Sequence, residues 1–178
     1  MRGLIDRRQF LGSAAVAALA SAGLRPQPAA ASDAFSGYDG IGLAQLVRSK
    51  QATALELVDS AIARIEAANP KLNAVVWEMF EHARTRAKAE LPASPLSGVP
   101  YLIKDLNNVA GERTTRGSRF GADTPAAISD PVPQKAIDAG LVIVGKTNTP
   151  EFGLLPTTES IRLGPCHKCL VLDNLKEK

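Results

Sequence analysis

The chain has 178 residues, of which 45% are hydrophobic and 22% charged, a composition typical of a soluble globular protein with one sizeable core. Its net charge of +3 originates at the amino terminus: four of the 21 basic residues and one of the 18 acidic residues precede Ser32, which leaves 17 of each sign in the remainder. The chain also has no basic run with interleaved aromatic residues. A nucleic-acid partner is therefore not expected.

Residues 1–31 have the features of a twin-arginine signal peptide. The arginine pair Arg7-Arg8 precedes a weakly apolar, alanine-rich stretch at 13–24, which is too short to span a bilayer as a stable anchor. Residues 29–31 are all alanine and offer an A-x-A cleavage site. The alternative, a frayed amphipathic amino terminus, does not explain this order of features. We therefore expect the twin-arginine export machinery as a partner and a periplasmic or secreted protein that folds before export.

Helical periodicity begins shortly after this segment. Apolar residues at i, i+3 and i+4 within 43–47 predict a short amphipathic helix. Thr53 and Glu56 have the spacing of a capping box and predict the start of a second helix, whose apolar residues recur at spacings of three and four up to Ile65. Asn69-Pro70 is expected to end this helix, because proline disfavours helical geometry at the residue before it.

Strands and helices then alternate along the chain. Strands are predicted at 72–77, 99–103 and 141–144, and helices at 80–91 and 134–139. The segment 107–130 has no clear period and is predicted to be a long loop, a feature often found at functional sites. This alternation predicts βαβ units with right-handed crossovers and a parallel or mixed sheet, which is an α/β fold.

Two motifs with known functions elsewhere are interpreted as incidental. Residues 140–147 match the P-loop pattern G-x-x-x-x-G-K-[ST], but the four variable positions are themselves the predicted strand and no helix follows. Nucleotide binding is therefore a disfavoured alternative. Cys166 and Cys169 form a C-x-x-C pair which, with His167, supplies at most three of the four ligands of a zinc site.

Lys104 is the candidate catalytic residue. It follows an apolar strand and precedes Asp105. Burial lowers the pKa of a lysine, so a buried lysine can act as a base. The negative charge of Asp105 opposes this effect, although alternation along a strand would point the two side chains to opposite faces. From the residues alone, both a catalytic base and an exposed lysine with a packed aliphatic stem remain open.

Several motifs in register resemble the amidase signature family of hydrolases, from about Tyr38 to about Cys166. They are 98–105 (G-V-P-Y-L-I-K-D), 69–75, 145–153 and 157–159. The resemblance implies an α/β/α sandwich around a large mixed sheet, of which this chain is the amino-terminal portion. It also implies hydrolysis of the C–N bond of small-molecule carboxylic amides by a Ser–cis-Ser–Lys triad, with neither a metal nor an organic cofactor. Within the family, residues 149–151 and 155–159 are most similar to the acylamidase and cyclic-oligoamide hydrolase group.

The resemblance places the general base of the triad at Lys104. In that mechanism a neutral lysine takes a proton from a bridging serine, which activates the nucleophilic serine, and backbone amides stabilise the tetrahedral intermediate. Lys146, Asn148 and Glu151 match a further family motif and are interpreted as structural.

The sequence departs from the family pattern after Cys166. The family's glycine-serine stretch, G-G-S-S-G-G, holds the bridging serine and does not occur here; Ser118 and Ser160 lie in no such motif. The expected organisation is a signal peptide at 1–31, the amino-terminal part of an amidase domain at 32–166 and an aberrant tail at 167–178. We therefore expect a truncated chain that is inactive alone. The alternative is a non-catalytic binding module derived from an amidase amino terminus.

Overall fold

The computed structural model describes residues 34–121 and 123–167. The predicted signal peptide and the tail from residue 168 lie outside the described residues, so the predictions made for them stay predictions. The described elements are helix α1 (Gly40–Arg48), helix α2 (Ala54–Leu72), strand β1 (Val75–Glu78), helix α3 (Phe80–Lys88), strand β2 (Pro100–Lys104), helix α4 (Pro131–Asp138), strand β3 (Val142–Thr147), a 3-10 turn (Glu151–Gly153), strand β4 (Glu159–Ser160) and strand β5 (Gly164–Pro165). No helix in this part of the chain is both long and apolar enough to cross a membrane.

The strand β3 lies at the centre of a three-stranded sheet with the order β1-β3-β2. It pairs with β2 in parallel and with β1 in antiparallel orientation. The predicted α/β fold with a mixed sheet is confirmed. The short strands β4 and β5 form a separate antiparallel pair.

Apolar side chains cover both faces of this sheet. Val142 and Val144 pack in one cluster with residues of α2 and α3, whereas Ile143 packs in a second cluster with Met79 and Ile103. Alternate residues of β3 therefore enter different clusters, as expected for a strand buried on both faces. The β-branched run in the sequence had predicted this burial.

The alternation is interrupted once in β3. Tyr101 and Leu102 are consecutive in β2, but their partners in β3, Ile143 and Gly145, are not. The residue between these partners, Val144, is therefore the extra residue of a β-bulge. A β-carbon on Gly145 would lie 3.5 Å from a methyl group of Leu102, which packs against the first cluster. Two successive residues of β3 thus face the helices, and the next residue turns to the opposite face.

The capping box at the start of α2 is confirmed. The backbone amide of Glu56 donates to the Thr53 hydroxyl oxygen at 3.1 Å, and the carboxylate of Glu56 accepts from the Thr53 amide at 2.7 Å. Val58 and Ile62, on the predicted apolar face, are buried. The sequence pattern therefore located both the start of the helix and its inner surface.

The prediction that α2 ends at Asn69 is wrong, because the helix continues to Leu72 with Pro70 inside it. Pro70 has no amide to donate to the carbonyl oxygen four residues earlier, so this last turn forms one hydrogen bond fewer, and side-chain hydrogen bonds of Asn69 support the chain beyond it. The Asn69 side chain accepts from the amide of Ala74 at 2.9 Å and from a second amide one residue later at 2.8 Å. Asn73 then ends the helix in the left-handed conformation, with a φ of 50°.

The remaining predicted elements exist with shifted ends, and α4 begins at Pro131, ahead of the predicted start at Gln134. The first strand begins at Val75 because residues up to Leu72 belong to α2, and α3 ends at Lys88, before the predicted limit of 91. The third strand continues beyond the apolar run to Thr147. The predicted long loop is confirmed, since the described residues of 107–130 form neither a helix nor a named strand.

Candidate active site

Lys104 is the last residue of β2, and its side chain is exposed. It pairs with Thr147 across the parallel ladder, and its carbonyl oxygen accepts from the Asn107 amide at 3.0 Å. The strand end is therefore well anchored through its backbone. The burial that a lysine base requires is not supplied by the described residues.

Asp105 points away from Lys104, as the alternation along the strand predicted. The residue is only 1% exposed, and its carboxylate accepts from the hydroxyl of Thr115 at 2.5 Å and from the amide of the same residue at 3.2 Å. Its own amide donates to the Thr147 carbonyl at 3.0 Å, which extends the β2–β3 ladder by one residue. These hydrogen bonds therefore fix the position of Asp105, the first residue after the candidate base.

The second lysine of this sheet, Lys146, is fully buried, with 0% exposure. Its Nζ donates to the carbonyl oxygen of Asn107 at 3.1 Å, to the carbonyl oxygen of Arg113 at 2.5 Å and to the hydroxyl oxygen of Thr114 at 2.5 Å. A carboxylate oxygen of Asp105 lies 3.9 Å away. Lys146 thus joins β3 to both ends of the 107–114 segment.

The hydrogen bonds of Lys146 require three donors on one nitrogen. Two partners are carbonyl oxygens, and the third, the hydroxyl of Thr114, itself donates to the carbonyl of Asn107 at 3.2 Å. Only the ammonium form of lysine supplies three donors. Burial lowers the pKa of Lys146 from its ordinary value, and the carboxylates of Asp105 and Glu112 oppose this shift.

The residues that match the P-loop pattern do not form a phosphate cradle. Helix α4 ends just before Gly140, and β3 occupies most of the variable positions. The side chain of Lys146 is enclosed by carbonyl oxygens of the chain itself. This arrangement matches the interpretation of Lys146 as structural.

Neither Ser118 nor Ser160 is an unpartnered hydroxyl. The Ser118 hydroxyl donates to a carboxylate oxygen of Glu151 at 2.5 Å and accepts from the amide of Phe120 at 3.1 Å. The hydroxyl oxygen of Ser160 accepts from the amide of Leu163 at 3.0 Å. The link between Ser118 and Glu151 joins residues 33 positions apart, and no local sequence pattern indicated it.

The interpretation of Asn148 as structural agrees with its contacts. It is 7% exposed, and its amide nitrogen donates to the carbonyl oxygens of Asn73 at 3.0 Å and Gly164 at 3.2 Å. The C-x-x-C pair is described only at Cys166, which is half-buried. Among the described residues, no group of three or more His, Cys, Asp or Glu side chains could hold a metal ion.

An apolar cleft lies on the sheet face that carries Lys104. It runs between α2 and β2, and its lining includes Ile65, Leu72, Val75, Tyr101 and Leu102. Leu102 and Lys104 lie two residues apart in β2 and therefore project from the same face of the sheet. The candidate base thus stands at the end of a strand whose neighbouring surface is largely apolar.

Comparison with protein families identifies the class of protein to which this chain belongs. The family model described as Amidase matches residues 56–174. The chain therefore belongs to the amidase family, which confirms the resemblance inferred from the sequence motifs.

Individual members of the family show how similar this chain is to known enzymes and how much of them it covers. The 6-aminohexanoate-cyclic-dimer hydrolase of Paenarthrobacter ureafaciens is 40% identical over 128 residues, which are 68% of this chain and 25% of the relative. The enzyme of the same name from Pseudomonas sp. (strain NK87) is 39% identical over 128 residues, again 68% of this chain and 25% of the relative. The chain thus spans about a quarter of the length of these relatives.

Solved structures show the same fold. A structure of 6-aminohexanoate cyclic dimer hydrolase is 36% identical with a TM-score of 0.67, covering 74% of this chain and 27% of that chain. A bacterial aryl acylamidase of the amidase signature family is 30% identical with a TM-score of 0.64, covering 74% of this chain and 29% of that chain. The predicted amidase-signature fold is confirmed over this part.

Proposed function

We propose that this chain supplies the general base, Lys104, of an amidase that hydrolyses small-molecule carboxylic amides. The observation that carries the proposal is the position of Lys104. It ends β2 in the sequence G-V-P-Y-L-I-K-D, within the segment that the amidase family model matches. The exposed side chain leaves its amine accessible to groups contributed by other parts of an enzyme.

The proposed chemistry follows the Ser–cis-Ser–Lys route. The neutral amine of Lys104 accepts a proton from a bridging serine, which in turn takes the proton of the nucleophilic serine. The nucleophilic oxygen attacks the amide carbonyl, and the leaving amine receives a proton as the C–N bond breaks. Water then hydrolyses the acyl-enzyme and releases the acid. The base works only when water is excluded from around it, because burial is what lowers the pKa of a lysine.

The two serines of this route are those of the family's G-G-S-S-G-G stretch and its downstream nucleophile. Since that stretch does not occur in the 178 residues, the proposed activity requires the serine-bearing part of an amidase. We accordingly propose that the 178-residue chain alone does not hydrolyse amides. The substrate class is a small linear or cyclic amide; relatives named as a cyclic-dimer hydrolase and an aryl acylamidase support that range.

The test is a hybrid enzyme in which residues 32–166 replace the matching part of the 6-aminohexanoate-cyclic-dimer hydrolase. Turnover of cyclic and aryl amides is measured with and without Lys104→Ala, and circular dichroism monitors folding. The substitution should lower kcat on the order of a thousandfold or more, as expected for loss of a triad member. Lys88→Ala, at the exposed end of α3, is the matched control. Full activity of the Lys104→Ala hybrid would refute the assignment.

We also propose that the protein is exported by the twin-arginine route. Support comes from Arg7-Arg8, the weakly apolar stretch after it and the alanine triplet at 29–31. Residues 1–39 are fused to a reporter that folds before export, and periplasmic reporter activity is measured. Replacing both arginines by lysine should abolish export. Equal export by the parent and the double variant would contradict the proposal.

A further inference from the structure

We propose that Lys146 is a positioning residue for Lys104: its buried ammonium holds the turn that follows β2 and so fixes the backbone of the base. This proposal rests on the proposed role of Lys104. It assigns a purpose to the buried lysine beyond general stability. The contacts of the Lys146 nitrogen are all made with the segment that follows Lys104 in the chain.

The shortest connection passes through one residue. The Nζ of Lys146 donates to the carbonyl oxygen of Asn107 at 3.1 Å, and the amide of Asn107 donates to the carbonyl oxygen of Lys104 at 3.0 Å. Asn107 is therefore bonded to Lys146 through its carbonyl and to Lys104 through its amide. A shift of the Asn107 backbone would release the last carbonyl of β2.

A second connection reaches Lys104 from the far end of the loop. Lys146 also holds the carbonyl of Arg113 and the hydroxyl of Thr114. Directly after them, Thr115 donates to the carboxylate of Asp105 through both its hydroxyl and its amide. The loop thus folds back onto the residue next to Lys104, and one ammonium secures both ends of the fold-back.

The three hydrogen-bond acceptors around the Lys146 nitrogen suit an ammonium group. A methionine of similar length would fill the space but leave the carbonyl of Arg113 without a donor and the carbonyl of Asn107 with the Thr114 hydroxyl alone, and such a loss is costly where water is excluded. The buried carboxylate of Asp105, 3.9 Å away, would also lose its nearby cation. The loss should be largest in this loop, because the apolar clusters of the sheet include none of these polar groups.

Amide hydrogen exchange on the 178-residue chain tests the proposal directly. In Lys146→Met, the amides of Asp105 and Asn107 should accelerate on the order of tenfold more than amides in the middle of α2, which report the global loss of stability. Lys135→Met, which removes an exposed lysine from α4, should change neither set. Equal acceleration of the loop and α2 amides would show a merely global effect and overturn the proposal.

Two further variants keep the test decisive if Lys146→Met does not fold. Thr114→Val removes one acceptor and should accelerate the same two amides by a smaller factor. Lys146→Cys, treated with bromoethylamine while unfolded and then refolded, regains an ammonium of lysine length and should restore slow exchange. The parent chain treated alike controls for alkylation of Cys166 and Cys169. Failure of the refolded aminoethyl variant to restore slow exchange would overturn the proposal.

Kinetics in the hybrid enzyme separate this proposal from the proposed function. Lys146→Met should lower kcat about tenfold or more with little change in KM, and aminoethylation of Lys146→Cys should restore it. If Lys104→Ala stays active, the proposed function fails while the exchange result still stands. If Lys104→Ala is inactive but Lys146→Met alters neither exchange nor kcat, only the positioning role fails.

Discussion

The ends of β2 and β3 carry the same type of side chain in opposite environments. Lys104 and Lys146 lie on adjacent parallel strands, one residue apart in register, since Ile103 pairs with Lys146. Lys104 is exposed, whereas Lys146 has 0% exposure and three hydrogen-bond acceptors. Burial alone would select Lys146 as the functional residue, yet the family motif selects Lys104.

The difference shows how a buried charge and a catalytic charge can be told apart. The acceptors of Lys146 match the three donors of an ammonium, so proton transfer from it would break a contact. A base instead needs an amine with room for a reacting partner, and the exposed end of β2 provides that room. Saturated hydrogen bonding therefore indicates a fixed structural charge, and substitutions at and around the two lysines test this distinction.

The largest expected effect on stability is that of Lys146→Met. It should lower the free energy of unfolding by about 3 kcal/mol or more, because it leaves the Arg113 carbonyl unsatisfied and the buried carboxylate of Asp105 without its cation. Urea unfolding followed by circular dichroism measures the change, with Lys135→Met as the control. A loss below about 0.5 kcal/mol, the range of an ordinary surface substitution, would erase the distinction between the two lysines.

Gly145→Ala should come second, with a loss of about 1 to 3 kcal/mol, typical of overpacking. A β-carbon at this position would lie 2.8 Å from the carbonyl oxygen of Trp77 and 3.1 Å from a methyl group of Val75. The strand would then have to move next to Lys146. Gly37→Ala is the matched control, since nothing lies within 4 Å of its β-carbon position. An unchanged urea midpoint for Gly145→Ala would show that β3 can shift freely.

The third prediction concerns pH. Burial lowers the pKa of Lys146 below its ordinary value of 10.5, so between the two values the unfolded chain binds more protons than the folded chain. Stability from this group therefore rises with pH in that window and is lost as pH falls through it, by at most about 1.4 kcal/mol per pH unit.

The penalty of Lys146→Met should accordingly grow as the pH rises towards 10.5, and urea unfolding of both chains over this rise measures it. A penalty that shrinks as pH rises would mean that the hydrogen bonds and nearby carboxylates outweigh burial and raise the pKa of Lys146 instead.

The smallest effect is expected for Lys104→Met. Because the side chain is exposed, the free energy of unfolding should change by no more than about 0.5 kcal/mol. The contrast with Lys146→Met is clean, since the substitution is the same and the strands are neighbours. A loss comparable to that of Lys146→Met would show that Lys104 is also a structural charge, and would weaken its assignment as a base.

Much of the fold could be predicted because it depends on local patterns. The start of α2 follows from the Thr53–Glu56 capping box, and the sheet follows from the alternation of strands and helices. The end of α2 could not be predicted, since it depends on side-chain hydrogen bonds of Asn69 to amides five and six residues later. A proline rule takes no account of such bonds.

The candidate site was predictable only in part. The position of Lys104 at a strand end is visible in the sequence, but its proposed role as a base came from the family motif and not from its surroundings. The burial of Lys146 depends on carbonyls of Asn107 and Arg113, 39 and 33 residues away. Contacts over that separation leave no periodic trace, so no pattern along the chain indicated the polar network beneath β2.

The bulge at Val144 has a consequence for how β3 tolerates changes in length. Over the paired stretch β3 has one residue more than β2, and this extra residue lies between Ile143 and Gly145. Loss of one residue there would restore regular pairing and still leave Lys146 opposite Ile103. Between Gly145 and Thr147 the pairing with β2 has no extra residue. An insertion or deletion there would turn the ammonium of Lys146 away from its acceptors. We therefore expect related sequences to vary in length on the amino-terminal side of Lys146 and to keep a fixed spacing after it.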